Sequence, residues 1–439
     1  MRKKLLHFIL IFVLAVTMTS ISGSVSIAAD SPKTTAKISK NTSENTITVQ
    51  ALIEEALSSN PRIKANQLLW ESTAELETQA RAYDEPLISY TKPMREIETR
   101  LGPQEHIFKL SQKIPFPGKL GKKSLIAKKE AEIAEEKYEQ SKTNLRAIIK
   151  KTFFELHYLQ EAIIITKEKN AVLDYFKKIS QSNYNLGLSG LDILIRAQKQ
   201  SAETALKLIN LEQKKTTLRG RLEVLLNKKS PLSGKTLKVP DVVALQITED
   251  EAIRLALLNQ NEIKIANLGI EKTRLKRDLT SYNYLPDFQI GVTYSSIGEP
   301  VMTIEDGGQD ALALTFGVKI PLWFGKYRAK GAESRLLQER AQVIKDALVT
   351  ETENNVETLI SEINNFLRIF SLYDTQIIPE ARSAVLFAEA RYKSGEEKLA
   401  KLLETQSMWL NFRLTLARTK ANYLKSTAEL ERLLNRALF

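Results

Sequence analysis

The side chains that usually carry catalysis or hold metals are scarce in this sequence. It contains no cysteine and only three histidines, His7, His106 and His157. His7 belongs to an N-terminal apolar stretch, and the other two lie 51 residues apart, one in an alternating segment and one in a long helical pattern. A general base needs a proton partner within hydrogen-bond reach. No nucleophile elbow, phosphate-cradling glycine loop or paired-histidine zinc motif accompanies either imidazole. Past the N-terminal apolar stretch the thioethers are Met94, Met302 and Met408, scattered along the chain. Soft and borderline ions such as Cu(I) and Zn(II) favour clustered thiolate, thioether or imidazole ligands, and this spacing offers no such cage. The expectation is a protein that is not an enzyme and has no cofactor and no metal site of its own.

The chain does offer the same stretch twice. YNLGLSGLDILIRAQ at 184–198 lies over YKSGEEKLAKLLETQ at 392–406 at an offset of 208, pairing Tyr184 with Tyr392, Gly187 with Gly395 and Gln198 with Gln406. ITVQALIEEALSSNPRIK at 47–64 lies over ITEDEAIRLALLNQNEIK at 247–264, and KIPFPGK at 113–119 over KIPLWFGK at 319–326. Three anchors in one order define a tandem repeat of about 200 residues, far longer than the units of ordinary solenoids. We divide the chain into a first repeat at 47–228, a linker at 229–247 carrying Pro231, Gly234 and Pro240, and a second repeat at 248–439.

Each repeat reads as a short helix, a longer helix, two strands and a long helical hairpin. The residue before Pro61 avoids the helical region, which separates the first two helices. No proline falls between Pro117 and Pro231, and apolar residues recur at helical spacing from Ile126 to Ile163. Hairpins are therefore expected at 122–228 and 328–438, with Pro379 kinking or interrupting the first arm of the second.

Strands are expected at about 86–92, 106–114, 287–295 and 311–320. In DFQIGVTYS, Phe288, Ile290, Val292 and Tyr294 share one face, and small or polar residues share the other. Such alternation fits a strand crossing an outer membrane, and it fits equally a sheet half-covered by helices. Phe116, Trp323 and Phe324 just past the strand ends favour the membrane, because amphipathic rings collect at its interface. Four strands cannot close a barrel, so in lipid several chains must share one.

The N-terminus has Arg2, Lys3 and Lys4, an apolar run from Phe8 to Val16, and small residues around Ser26 and Ala28, the layout of an export signal at 1–29 cut after Ala28 or Ala29. That run is short of the roughly 20 residues that span a bilayer as a helix, and no other stretch approaches the length. Residues 30–46 read as a flexible leader. Without cysteine there is no site for an acylated-cysteine lipid anchor, so membrane attachment has to come from the fold. The net charge of +12 is distributed as Lys and Arg alternating with Glu along helices, a solvated surface and no nucleic-acid patch.

Taken together, the duplicated plan, the Tyr-x-x-Gly segments and IIPEA at 377–381 resemble the TolC-type outer-membrane efflux proteins over about 47–438. LSQKIPFPGKLGKK at 110–123 is similar to the heavy-metal branch, the CzcC-like and CusC-like proteins. The resemblance implies an α+β membrane fold: a homotrimer whose twelve-stranded β-barrel in outer-membrane lipid continues as a twelve-helix α-barrel in the periplasm. It implies an exit duct for cargo, heavy-metal cations in that branch, docked on a periplasmic adaptor and an inner-membrane pump of RND type. Alternatives are a drug or multidrug efflux or type I secretion channel, and more distantly a periplasmic coiled-coil adaptor. By the same resemblance Tyr184, Gly187, Leu188, Tyr392 and Gly395 belong to adaptor-docking tips. Asp192, Lys401 and Glu404 occupy the positions of a periplasmic gate. One acid of that gate is replaced here by Lys401, which turns the expected acidic ring into a mixed one.

Overall fold

The computed structural model describes residues 46–95, 97–229, 236–302 and 305–438. The expected signal and all of the leader except Thr46 lie outside the described residues.

Strand β1 (Thr46–Thr48) leads into α1 (Val49–Ser59), capped by Thr48 Oγ1, which accepts from the Ala51 amide at 3.4 Å. Asn60 then turns the chain into α2 (Pro61–Arg81), its Oδ1 accepting from the Arg62 amide at 2.9 Å, while Pro61 sits where a helix needs no donor. Strands β2 (Leu87–Thr91), β3 (Glu98–Thr99) and β4 (Gly102–Ile114) follow. Helices α3 (Lys119–Asn185) and α4 (Leu191–Leu226) form the first hairpin, and the 67 residues of α3 extend about 100 Å.

The second half repeats this order. It comprises β5 (Thr236–Lys238), α5 (Glu249–Asn259), α6 (Asn261–Ser281), β6 (Asp287–Ile297), β7 (Ala311–Lys319), α7 (Phe324–Leu372), α8 (Ile378–Lys393) and α9 (Leu399–Leu434). Thr248 caps α5 as Thr48 caps α1, and Asn227 and Asn435 end the two return helices in left-handed backbone at φ of 49° and 48°. One position has diverged. Gln260 stands where Asn60 stood, and accepts from the Thr352 hydroxyl at 2.8 Å instead of capping α6.

The structure adds one pairing to the sequence reading. Linker residues 230–235 lie outside the described residues, and just after them β5 pairs in parallel with β1, Ile47 opposite Leu237, and both of those side chains are buried. Three-residue strands are too short to show a period. The first arm of the second hairpin is interrupted near Pro379, as the sequence suggests. A π-turn at Tyr373–Ile377 takes up the irregularity, and the proline sits in the first turn of α8, where its missing donor matters little.

The four long strands pair antiparallel in the order β2-β4-β6-β7. Beside them the helices α2, α3, α6 and α7 pack as a row in the same order, each joined end to end with its strand. Farther along, α3 lies between α4 and α9. The main core sits at mid-length, where α1, α5 and the small β1/β5 sheet cover Phe153 and Leu156 of α3, Leu222 and Leu226 of α4, and Tyr423 and Leu430 of α9, each fully buried.

The seam between α3 and α9 also carries charge. Glu155 accepts from Arg418 at 2.8 Å and Lys425 at 2.6 Å, and Glu429 pairs with Lys151 and Arg432. Burial opposes both charged carboxylates, yet the cations outweigh it and hold each below the usual 4.5. A carboxyl depressed on folding stabilises the fold above its unfolded value, and that contribution fades as pH falls through the folded one. We therefore expect melting temperature to drop steeply below about pH 4.5 and the slope to flatten in Glu155→Gln, as followed by circular dichroism. An equal slope in that variant would refute the assignment.

Candidate functional site

The strand register sorts the sheet into two unlike faces. Ile88 lies opposite Leu110, Leu110 opposite Val292, and Val292 opposite Leu314, an apolar row across all four strands. One layer along, Tyr90, Phe108, Tyr294 and Leu312 make a second such row. The opposite face carries Ser89, Lys109, Thr293 and Ala313, then Ser111, Gly291 and Thr315. Leu87 and Ile107 are the exceptions on that face, and Gln112 on the apolar one.

Among the described residues no helix packs extensively on either face. Leu314 is 84% and Phe316 68% exposed, whereas Ser111 and Ser295 on the polar face are buried. The polar side is thus the concave one, and the reading of a helix-covered sheet is set aside. Among the described residues no strand lies beside the outer edges of β2 and β7.

Aromatic rings mark both ends of the apolar face. Tyr90, Phe108 and Tyr294 contact in series at one end, with the Tyr90 hydroxyl 2.9 Å from His106 Nδ1. At the other, Phe116 stacks on Phe288 and meets Tyr282 edge-on. Trp323 and Phe324 lie exposed past β7 at this same end. From Phe288 to Tyr294 is six residues, about 20 Å at strand rise, close to the apolar band of a membrane barrel.

A short turn joins β4 to α3. Gly118 adopts a φ of +88°, and a side chain there would press on the Tyr282 ring at 3.1 Å. Lys119 at the first helical position then reaches the Asp287 carboxylate at 2.9 Å, and Asp287 also accepts from the Phe116 amide at 3.0 Å. This joins the first repeat's hairpin to the second repeat's strand. The repeat alignment places Lys119 over Lys326, but nothing in the sequence pointed to its partner.

At the far end lie the two hairpin turns. Gly187 and Gly395 hold φ of +71° and +80°, and an added Cβ would meet nothing within 4 Å, so the backbone and not crowding demands glycine. Each turn closes alike: Gly187 N donates to Tyr184 O at 3.0 Å, and Gly395 N to Tyr392 O at 3.1 Å. Their surfaces differ. The first exposes Leu186 and Leu188, at 69% and 73%, with Tyr184 beside them. The second presents Ser394, Glu396 and Glu397, with Arg391 within 3.6 Å of both carboxylates. Leu186 and Glu396 were not singled out from sequence, although the offset of 208 would have exposed the contrast.

Asp192 lies in the first turn of α4. Lys401 and Glu404 pair at 3.1 Å within α9, both well exposed. His157 is half-buried beside Glu161, and burial lowers its pKa. Among the described residues no cluster of three or more His, Asp or Glu could hold a metal, and no helix is long and apolar enough to cross a membrane.

The family model of the outer membrane efflux protein matches residues 52–228 and 252–436. No curated protein matches the chain. Among solved structures, it is similar to the outer membrane protein VceC from Vibrio cholerae at 16% identity, with a TM-score of 0.70 over 89% of this chain and 97% of that one. The outer-membrane channel OprN gives 14%, a TM-score of 0.75, and 89% and 90% coverage. CusC gives 14%, a TM-score of 0.71, and 94% and 100% coverage. With the family model spanning most of both repeats, and the fold shared almost end to end, the chain belongs to the outer membrane efflux protein family.

Proposed function

We propose that this chain is one third of an outer-membrane exit duct that passively conducts cargo delivered by an RND-type inner-membrane pump through a periplasmic adaptor. The observation that carries the reading is the four-stranded sheet with a bare apolar face and two open edges. In hydrocarbon such edges cost several kcal/mol for each unpaired group, so only closure makes the sheet viable. β7 runs antiparallel to β6 and β2 antiparallel to β4, so β7 of one copy meets β2 of the next in antiparallel sense. Three copies joined this way give twelve strands, above the minimum of about eight. The helical row α2-α3-α6-α7 continues the same ring as a tube.

In this arrangement the apolar face meets lipid, the aromatic rings sit at its borders, and the polar face lines the channel. The hairpin turns hang in the periplasm, where Tyr184, Gly187, Leu188, Tyr392 and Gly395 form the docking rim. Asp192, Lys401 and Glu404 lie one turn inside it and form the gate, the Lys401–Glu404 pair contributing to a ring of mixed charge. An adaptor role accounts for the hairpins but leaves the exposed apolar sheet without purpose. A likeness at 14% identity, to CusC or to OprN, shows the fold alone and names no cargo.

Extraction tests the assembly. The protein should leave membranes only with detergent and show three chains by native mass spectrometry, and a monomer released without detergent would end the channel reading. Glu404→Ala should raise resting conductance in planar bilayers several-fold, whereas unchanged conductance would remove this residue from closure. Gly187→Val forces a branched side chain into left-handed backbone at a cost of about 1–3 kcal/mol. It should abolish adaptor capture in pull-down while trimers persist, and normal capture would exclude the tip from docking.

A further inference from the structure

The polar face of the sheet is one-sided in charge. Lys109, Lys113 and Lys319 project from it, all exposed, against a single carboxylate, Asp287 at its helical end. Asp287 shares the parity of Gln289 and Gly291, so the side on which it meets Lys119 is this same polar side. There a groove opens over α6, lined from α3 by Lys119 and Lys123, from α6 by Lys276 and from α7 by Lys330. Glu333 is the only acid in its lining, and Glu130 stands 3.7 Å from Lys276 at its margin. Among the described residues Lys109, Lys113, Lys123 and Lys330 make no ion pair within 4 Å. By contrast Lys122 of α3, outside the groove's lining, is paired with Asp278 of α6 at 3.1 Å.

We infer that the duct's wall along the sheet and its junction with the helices selects anions, so that its cargo class is small anionic solutes and not bare metal cations. The inference rests on the channel reading above, which makes the polar face the lumen. Rings of lysine in a water-filled pore favour anions, and low-dielectric walls focus that field along the path. Three copies triple each unpaired lysine around the ring. A divalent cation entering from the tube would meet them with almost no carboxylate to offset the repulsion.

The test uses the full-length protein in planar bilayers across a tenfold gradient of potassium chloride, kept dilute so that screening stays weak. Reversal potentials should give a chloride-to-potassium permeability ratio of about three or more, falling at least about twofold when Lys109, Lys113 and Lys330 are all changed to Gln. These side chains are exposed and form no ion pair, so assembly should survive. Unit conductance in the same trace verifies it, and Lys113→Arg should keep the wild-type ratio. A cation-selective wild type, or a ratio unmoved by the triple change, overturns the inference while leaving a channel in place. Absence of any conductance in both the wild type and Glu404→Ala overturns the channel reading and the inference with it.

Discussion

A strand edge cannot face hydrocarbon, and this constraint organises the rest of the molecule. Each backbone amide and carbonyl removed from water needs a partner. β4 and β6 find theirs on both sides, while β2 and β7 are each satisfied on one side only. The end-to-end joining of strands with helices carries the same requirement outward, since a ring that closes the strands also sets α2 of one copy beside α7 of another. The small mid-length core holds the long helices in register, and burial of Phe153, Leu222 and Tyr423 does there what a compact hydrophobic centre does in a globular domain.

Duplication supplied the plan, and divergence supplied the asymmetry. The caps Thr48 and Thr248 and the left-handed asparagines Asn227 and Asn435 are the same device used twice. Other pairs have parted. Asn60 caps a helix where Gln260 ties two helices together, and Leu188 faces solvent where Glu396 is held near Arg391. A protein with two interchangeable halves would place six like turns around its rim. Here the two turns are unlike, one apolar and one charged, so in the proposed assembly a partner bridging two neighbours would meet both kinds.

Much of this was legible in the sequence, for physical reasons. Helices of such length advertise themselves through periodicity and missing proline, and strands exposed on one apolar side alternate without interruption, as Phe288 to Tyr294 do. The turn glycines were readable because no other residue takes their backbone cheaply. The unread features depend on contacts between segments distant in sequence. The β1/β5 pair is too short to have a period, and the Lys119–Asp287 link spans 168 residues. Even the lysines of the polar face were visible as letters. Their meaning came only from the register, which set them on one side and left them without partners.

The unbroken α3 has a mechanical consequence. Fixed to the sheet through a tight turn and the Lys119–Asp287 pair, it is a lever about 100 Å long. A tilt of about 5° at the fixed end sweeps the other by about 9 Å, with bending spread so thinly that no single backbone hydrogen bond need break. In the proposed duct the length of the hairpin would work as gearing, converting angular change too small to disturb the barrel into displacement wide enough to open a mouth.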